Sequence, residues 1–357
     1  MTVSVIPGRE LTPDLQAIWA GMQEGNPDLA SPYFCSEYTL AVASVRDDVH
    51  IGIVEDGGVI AGFFPFQRDW KGAGRPVGGP LSDYHGIIGT RGCECDVQAL
   101  LRECRLAVWD FDHLVASQEP FRPYHKRIAE SPFMDLSQGY QAYASGRREA
   151  GSRQIRDIET LSRRLERDAG PLRFELNARD EAVLRSLMNW KSDQYLRSNL
   201  VDVFGFAWTR NLLKRICTTE TIGFAGTLSA LYAGQELVAV HMGMRSKDVW
   251  HYWFPSYDRK YARYSPGLIL LLRMAQSAQS LGAKRIDLGK GDALYKSRLR
   301  SGGTALAEGS VEASSLVSFA RRMRAGSERL LRGTTLFALA RVPGRLVRLV
   351  QRSMLFR

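Results

Sequence analysis

The chain has 357 residues, 45% of them apolar and 24% charged, and a net charge of +10. That length exceeds one ordinary core and implies two domains, while the composition is that of a globular chain. No run of about eighteen uncharged apolar residues occurs, so no membrane-spanning helix is expected.

The five cysteines, Cys35, Cys93, Cys95, Cys104 and Cys217, are an odd number, which argues against a disulfide framework. Cys93-Glu94-Cys95 has no second Cys or His pair at zinc-finger spacing, so no metal is expected. The start, "MTVSVIPGRELTPDL", lacks the basic, apolar and small-residue segments of a secretory signal, and a cytoplasmic location is expected. The charge is unevenly placed. From Ala313 onward there are ten arginines and one acid, Glu328, so this tail holds nine of the ten net positive charges. The nearly neutral body gives no reason to expect DNA as a partner.

In chain order, Val49 to Gln67 contains two β-rich runs around Asp56-Gly57-Gly58, a hairpin turn that needs residues tolerating positive φ. A glycine- and proline-rich loop follows from Lys71 to Leu81. A helix is predicted from Asp96 to about Trp109, and a strand near His113 to Ala116. A charged helix is predicted from Ser152 to Ala169, then a strand at 173–176 and helices at about 180–197 and 206–217. Thr227 to Asp258 reads as a three-stranded meander turning at Ala233-Gly234-Gln235 and Ser246-Lys247-Asp248. "IVEDGGVIAGFF" and "ALYAGQELVAVHM" share a strand, glycine turn, strand pattern, which a tandem duplication and the general likeness of hairpins explain equally well. Next, Ser265 suits an N-cap, Pro266 the first helical position and Gly282 a left-handed C-terminal cap. The strand Arg285 to Leu288 follows, completing a right-handed βαβ unit with parallel strands.

"HYWFPSYDRKYARYSPGLILL" and "DLGKGDALYKSRL" resemble the FemAB-like and CelD-like branch of the GNAT acyltransferases, which includes enzymes of polysaccharide biosynthesis. The likeness covers about residues 140–312, and the first half only through its hairpin. It implies an α/β (α+β) fold of two tandem GNAT-like modules, each a mixed, largely antiparallel sheet flanked by helices. The expected domains are a degenerate module at 1–139, an acyltransferase module at 140–312 and a basic helical tail at 313–357.

The resemblance also implies roles. The donor would be acetyl-CoA or another acyl-CoA, used as a substrate and held by Arg263, Ser265, Gly267, Leu268 and Gly289 at a helix start able to bind a diphosphate. Tyr295 would protonate the leaving thiolate, Asp292 would orient or deprotonate the acceptor, and Lys296 would stabilise an oxyanion or bind a carboxylate. Asp292 reads equally well as a helix cap. His241 is a candidate general base, though its alternation with Val240 and Met242 also suits a hydrogen-bonded sheet residue. Lys191, Gln194, His251, Trp253 and Tyr257 are candidate acceptor contacts, the aromatics because rings stack on sugars.

The expected activity is N- or O-acyl transfer, with acetyl as the expected group, to a sugar or amino-sugar precursor of a surface polysaccharide. Two alternatives stand: a FemAB-type aminoacyl transferase using charged tRNA, and a non-catalytic membrane scaffold. Arg341, Arg345, Arg348 and Arg352, spaced at four, three and four, form one face of an amphipathic helix that suits an anionic membrane surface.

Overall fold

A computed structural model describes residues 1–92, 95–313 and 356. The first half runs β1 (Thr2–Pro7), α1 (Pro13–Glu24), α2 (Ser36–Ala43), β2 (Val49–Asp56), β3 (Val59–Arg68), β4 (Ala73–Arg75), β5 (Ile88–Gly89), α3 (Val97–Glu103), β6 (Val108–Val115) and β7 (His125–Asp135). The second runs α4 (Gly139–Glu149), α5 (Gln154–Ala169), β8 (Leu172–Glu175), α6 (Glu181–Arg197), α7 (Ala207–Thr218), β9 (Ala225–Ala233), β10 (Glu236–Arg245), β11 (Val249–Tyr257), α8 (Pro266–Ser277), β12 (Arg285–Asp287), α9 (Leu294–Leu299) and β13 (Gly302–Glu312). The arginine-rich tail expected to form an amphipathic helix, and Cys93 and Glu94, lie outside the described residues apart from Phe356.

Both predicted hairpins form where glycine supplies the turn. Gly57 and Gly58 have φ of 57° and 83° between β2 and β3, and Gly234 has φ of 58° between β9 and β10. The predicted helix from Asp96 stops at Glu103, because Arg105 adopts φ of 54° and Val108 to Val115 continue as strand β6. The run "RLAVWDF" is thus buried sheet rather than helix, with Val108 and Trp109 fully enclosed.

All the main strands join one sheet in the order β1-β2-β3-β4-β6-β13-β7-β12-β11-β10-β9-β8. This order is symmetric about the β13–β7 pair. On either side lie five strands whose inner two are parallel, β4 with β6 and β11 with β12, while the others are antiparallel. The symmetry favours duplication over chance likeness of the hairpins. The fold is mixed α/β, made of two GNAT-like halves. Their last strands are exchanged: β7 follows β6 in sequence but pairs with β12, whereas β13 follows α9 but pairs with β6 and β7. The sheet therefore runs unbroken across the expected boundary at residue 139. One apolar cluster also spans both halves, joining Phe34, Val42 and Phe63 to Leu187, Leu213 and Met242. α8 lies against the second half of the sheet and buries Ile269, Leu270, Leu271 and Met274, each contributing roughly 1.5–3 kcal/mol.

Candidate active site at the junction of the halves

β11 and β12 pair only over Val249–His251 and Arg285–Asp287. β12 then ends, and Gly289 (φ 72°) and Gly291 (φ 137°) turn the chain away. A side chain at Gly289 would be strained in φ, and its Cβ would lie 3.2 Å from Asp83 Oδ2. The edge of β11 from Tyr252 to Tyr257 is left without a β12 partner, so the two strands splay apart there. α8 begins beside it. Ser265 stands at the N-cap position, but with φ of 51° its side chain makes no capping bond, contrary to the expected cap. No side chain caps the positive end of this helix, where Pro266 itself has no N–H to offer. The corresponding helix of the first half, α3, is closed instead: the Asp96 carboxylate accepts from the amides of Gln98 and Ala99 at 2.9 and 3.1 Å.

At the base of the splay lies a buried ionic network. Asp287, fully enclosed at the end of β12, accepts from Ser131 Oγ (2.7 Å), Gly289 N (2.8 Å) and Tyr84 Oη. Its other neighbour is His251 Nδ1 at 3.5 Å, and His251 Nε2 meets Asp83 Oδ2 at 2.8 Å. Burial pulls the His251 pKa down, but the hydrogen bonds and charges of two carboxylates outweigh it and raise it to about 9. Burial pushes Asp287 up, and the bonds and charge of His251 overcome this to hold it at about 2. Asp83 is lowered in the same balance. His251 is thus an imidazolium clamped between carboxylates. Asp83 keeps 27% of its side chain exposed and is the member that can meet a substrate.

Two lysines flank this centre. Lys296 Nζ donates to the carbonyls of Gly289 (2.9 Å) and Lys290 (3.1 Å), tying α9 to the end of β12. Burial lowers its pKa, while Asp83, Asp287 and Asp292 act upward. Lys191 on α6 donates to Pro255 O and Gln194 Oε1, both at 3.1 Å, on the β11 side. Burial and then the charge of Lys296 bring its pKa to about 8. The structure therefore brings His251, Lys191, Gln194, Lys296 and Gly289 together around the splay.

The remaining expected residues fall as follows. Tyr295 packs half-buried against the cluster holding Tyr252 and Leu288, and burial lifts its phenol to about 12, so it stays protonated at neutral pH. Asp292 is exposed on the loop before α9, whose N-cap is Ala293, so it is not a cap. Trp253 is fixed by its indole bond to Leu81 O (3.1 Å). Tyr257 lies beside Gly267, its ring 3.6 Å from where a Cβ would stand, which places it at the start of α8. Leu268 is half-buried in the same turn. Arg263 is exposed and engaged with Tyr264, which it bonds at 2.6 Å. His241 is fully buried and stacked on Tyr252 at 4.7 Å, and desolvation takes its pKa to about 3. The enclosed ring sits within the sheet rather than facing an acceptor, and neither of its nitrogens has a hydrogen-bond partner.

Sequence reasoning missed Asp83, Tyr84, Ser131 and Asp287. Asp287 carried a signal, a carboxylate inside the apolar run "RIDLG" that only a buried partner would stabilise. Asp83 carried none, because its partners lie on other elements.

Residues 152–297 match the acetyltransferase (GNAT) domain family. No match is found among curated proteins. Among solved structures the chain is similar to FemX, at 10% identity and a TM-score of 0.55, over 87% of this chain and 96% of that one. It is also similar to the C-terminal domain of a putative lysylphosphatidylglycerol synthetase from Agrobacterium fabrum, at 11% identity and a TM-score of 0.52, over 86% and 96%. Both likenesses run over the two halves of the chain. The GNAT match runs from the start of α5 into α9, and so contains the splay, the uncapped start of α8, His251, Asp287 and Lys296. It leaves out Asp83 and Tyr84, which the first half supplies to the same centre.

Proposed function

We propose that the protein is an acyl-CoA-dependent acyltransferase that acts on an amine or hydroxyl of a sugar or amino-sugar precursor of a surface polysaccharide. The observation that carries the reading is the β11–β12 splay opening onto the uncapped start of α8, which offers a strand edge to pantetheine and a positive helix end to a diphosphate. The acceptor attacks the thioester carbon directly, with the Asp83 carboxylate receiving its proton and Tyr295 protonating the departing thiolate. Lys191 and Lys296 face the charge that develops on the carbonyl oxygen. Trp253, partly exposed and held by its indole bond to Leu81 O, supplies an aromatic face on which a sugar ring can stack.

Acetyl-CoA at about a hundred times its Kd should stabilise the protein by about 2.7 kcal/mol and raise the melting temperature by several degrees. Gly267→Glu should remove that rise by setting a carboxylate against the diphosphate while leaving the melting temperature of the free protein unchanged. No shift with any CoA thioester, with one in the presence of aminoacyl-tRNA, would replace this reading by the tRNA-dependent one.

A second part of the proposal concerns the tail. Its surplus of nine positive charges suits an anionic membrane surface, each arginine contributing about 1 kcal/mol. The full chain should sediment with vesicles containing anionic lipid at low salt and release as salt rises, whereas a chain ending after Ala313 should stay in solution. Equal sedimentation of both rules out the tail as the membrane contact.

A further inference from the structure

Four side chains of alternating type run in a line through the junction of the halves. Asp287 faces His251 at 3.5 Å, His251 Nε2 meets Asp83 Oδ2 at 2.8 Å, and Asp83 Oδ1 lies 3.8 Å from His113 Nε2. Beyond His113 the line reaches the surface, since its Nδ1 is 2.9 Å from Asp112 Oδ1 and the Asp112 side chain is 60% exposed. One end of the line is wholly enclosed and the other is in water.

The two histidines beside Asp83 differ in capacity. His251 has a carboxylate on each ring nitrogen, is positively charged, and has no site left for a proton. His113 Nδ1 lies 2.9 Å from Asp112 Oδ1, and the opposite ring nitrogen, Nε2, faces Asp83. The other ionisable groups facing His113 are already engaged. His85, with ring centroids 6.1 Å away, accepts the backbone N–H groups of Asp112 and His113 on Nε2 (3.2 and 3.0 Å), and burial keeps it neutral with a pKa near 3. Lys290 is bound to Asp112 O (2.7 Å) and to Glu308 Oε1 (3.0 Å).

We infer that His113 conducts the acceptor's proton from Asp83 to solvent, and so acts on the reaction through Asp83 without touching the substrate. This rests on the acyltransferase reading. The acceptor atom bonds to the acyl carbon, the carbon–sulfur bond breaks, and the acceptor's proton passes to Asp83 Oδ1, to His113 Nε2 and out past Asp112. Tyr295 gives its proton to the CoA sulfur and recovers one from water, so the sum is ester or amide plus free CoA thiol. The route leaves the His251–Asp287 pair unchanged through the cycle.

The test is thiol release from acetyl-CoA with hydroxylamine as acceptor, measured at neutral pH. In His113→Asn kcat should fall about tenfold, with KM for acetyl-CoA and the CoA-induced melting shift retained. In His113→Ala, added imidazole should restore most of the rate. An unchanged kcat in His113→Asn, or a loss in His113→Ala that imidazole does not repair, overturns the inference. No thiol release by an unaltered protein that still shows the CoA melting shift overturns it too. If release and shift are both absent, the acyltransferase reading fails first.

Discussion

Asp287→Asn is expected to destabilise the protein by about 3 kcal/mol near pH 6 and to lower acyl transfer roughly a hundredfold. The substitution keeps the size of the side chain, so Ser131 and Gly289 N keep an acceptor. What is lost is the charge that, with Asp83, holds a fully buried imidazolium in place. The sign of the pH dependence follows from the folded and unfolded pKa values. His251 is raised from 6.5 to about 9, so its contribution is complete below pH 6.5 and disappears as pH climbs through 9. Asp287 is depressed from 3.8 to about 2, so its contribution is complete above pH 3.8 and disappears as pH falls through 2. The cost of the substitution should therefore be greatest between about pH 4 and 6.5 and should shrink by pH 9.5. Urea unfolding at pH 6 and 9.5 measures this. Equal losses at both values would mean that His251 is not held as a cation.

A chain ended after Arg300 should show no cooperative thermal transition, whereas one ended after Ala313 should melt within a few degrees of the full chain. β13 lies in the middle of the sheet, bonded to β6 on one side and β7 on the other, with Leu306, Ala307 and Val311 fully buried. Removing it opens two strand edges and a gap through the core, a loss far beyond typical domain stabilities of roughly 5–15 kcal/mol. The last rungs count as well, since Glu312 pairs with Val108 and Ala313 N donates to Ala107 O at 3.0 Å, so the cut belongs after Ala313. A cooperative melt of the shorter chain would show that the β6 and β7 edges can close on each other.

What the sequence disclosed was local. The glycine turns at 57–58 and 234, the meander, and the helix at Pro266 each depend on neighbours in the chain, and each forms near its expected position. The second-half site was legible in part, because Lys191, His251, Gly289 and Lys296 come from segments that resemble a known pattern. The exchange of β7 and β13 was not legible. It depends on which edge meets which across more than a hundred residues, and strand alternation holds no such information. Asp83 was hidden for the same reason. It sits in "GGPLSDYHG", an ordinary loop by composition, and gains its meaning from His251 and Gly289 on the far side of the junction.

The position of β13 sets an order of events at the ribosome. β6 is complete at Val115, yet the strand that covers its edge begins at Gly302. At a synthesis rate of roughly 5–20 residues per second, that edge waits roughly 10–40 s for its partner. Neither half can finish before the other has emerged, so the nascent chain holds two open strand edges through most of its translation. A protein built this way depends on whatever shields those edges in the meantime, and a pause in translation just before Gly302 would lengthen the exposure most.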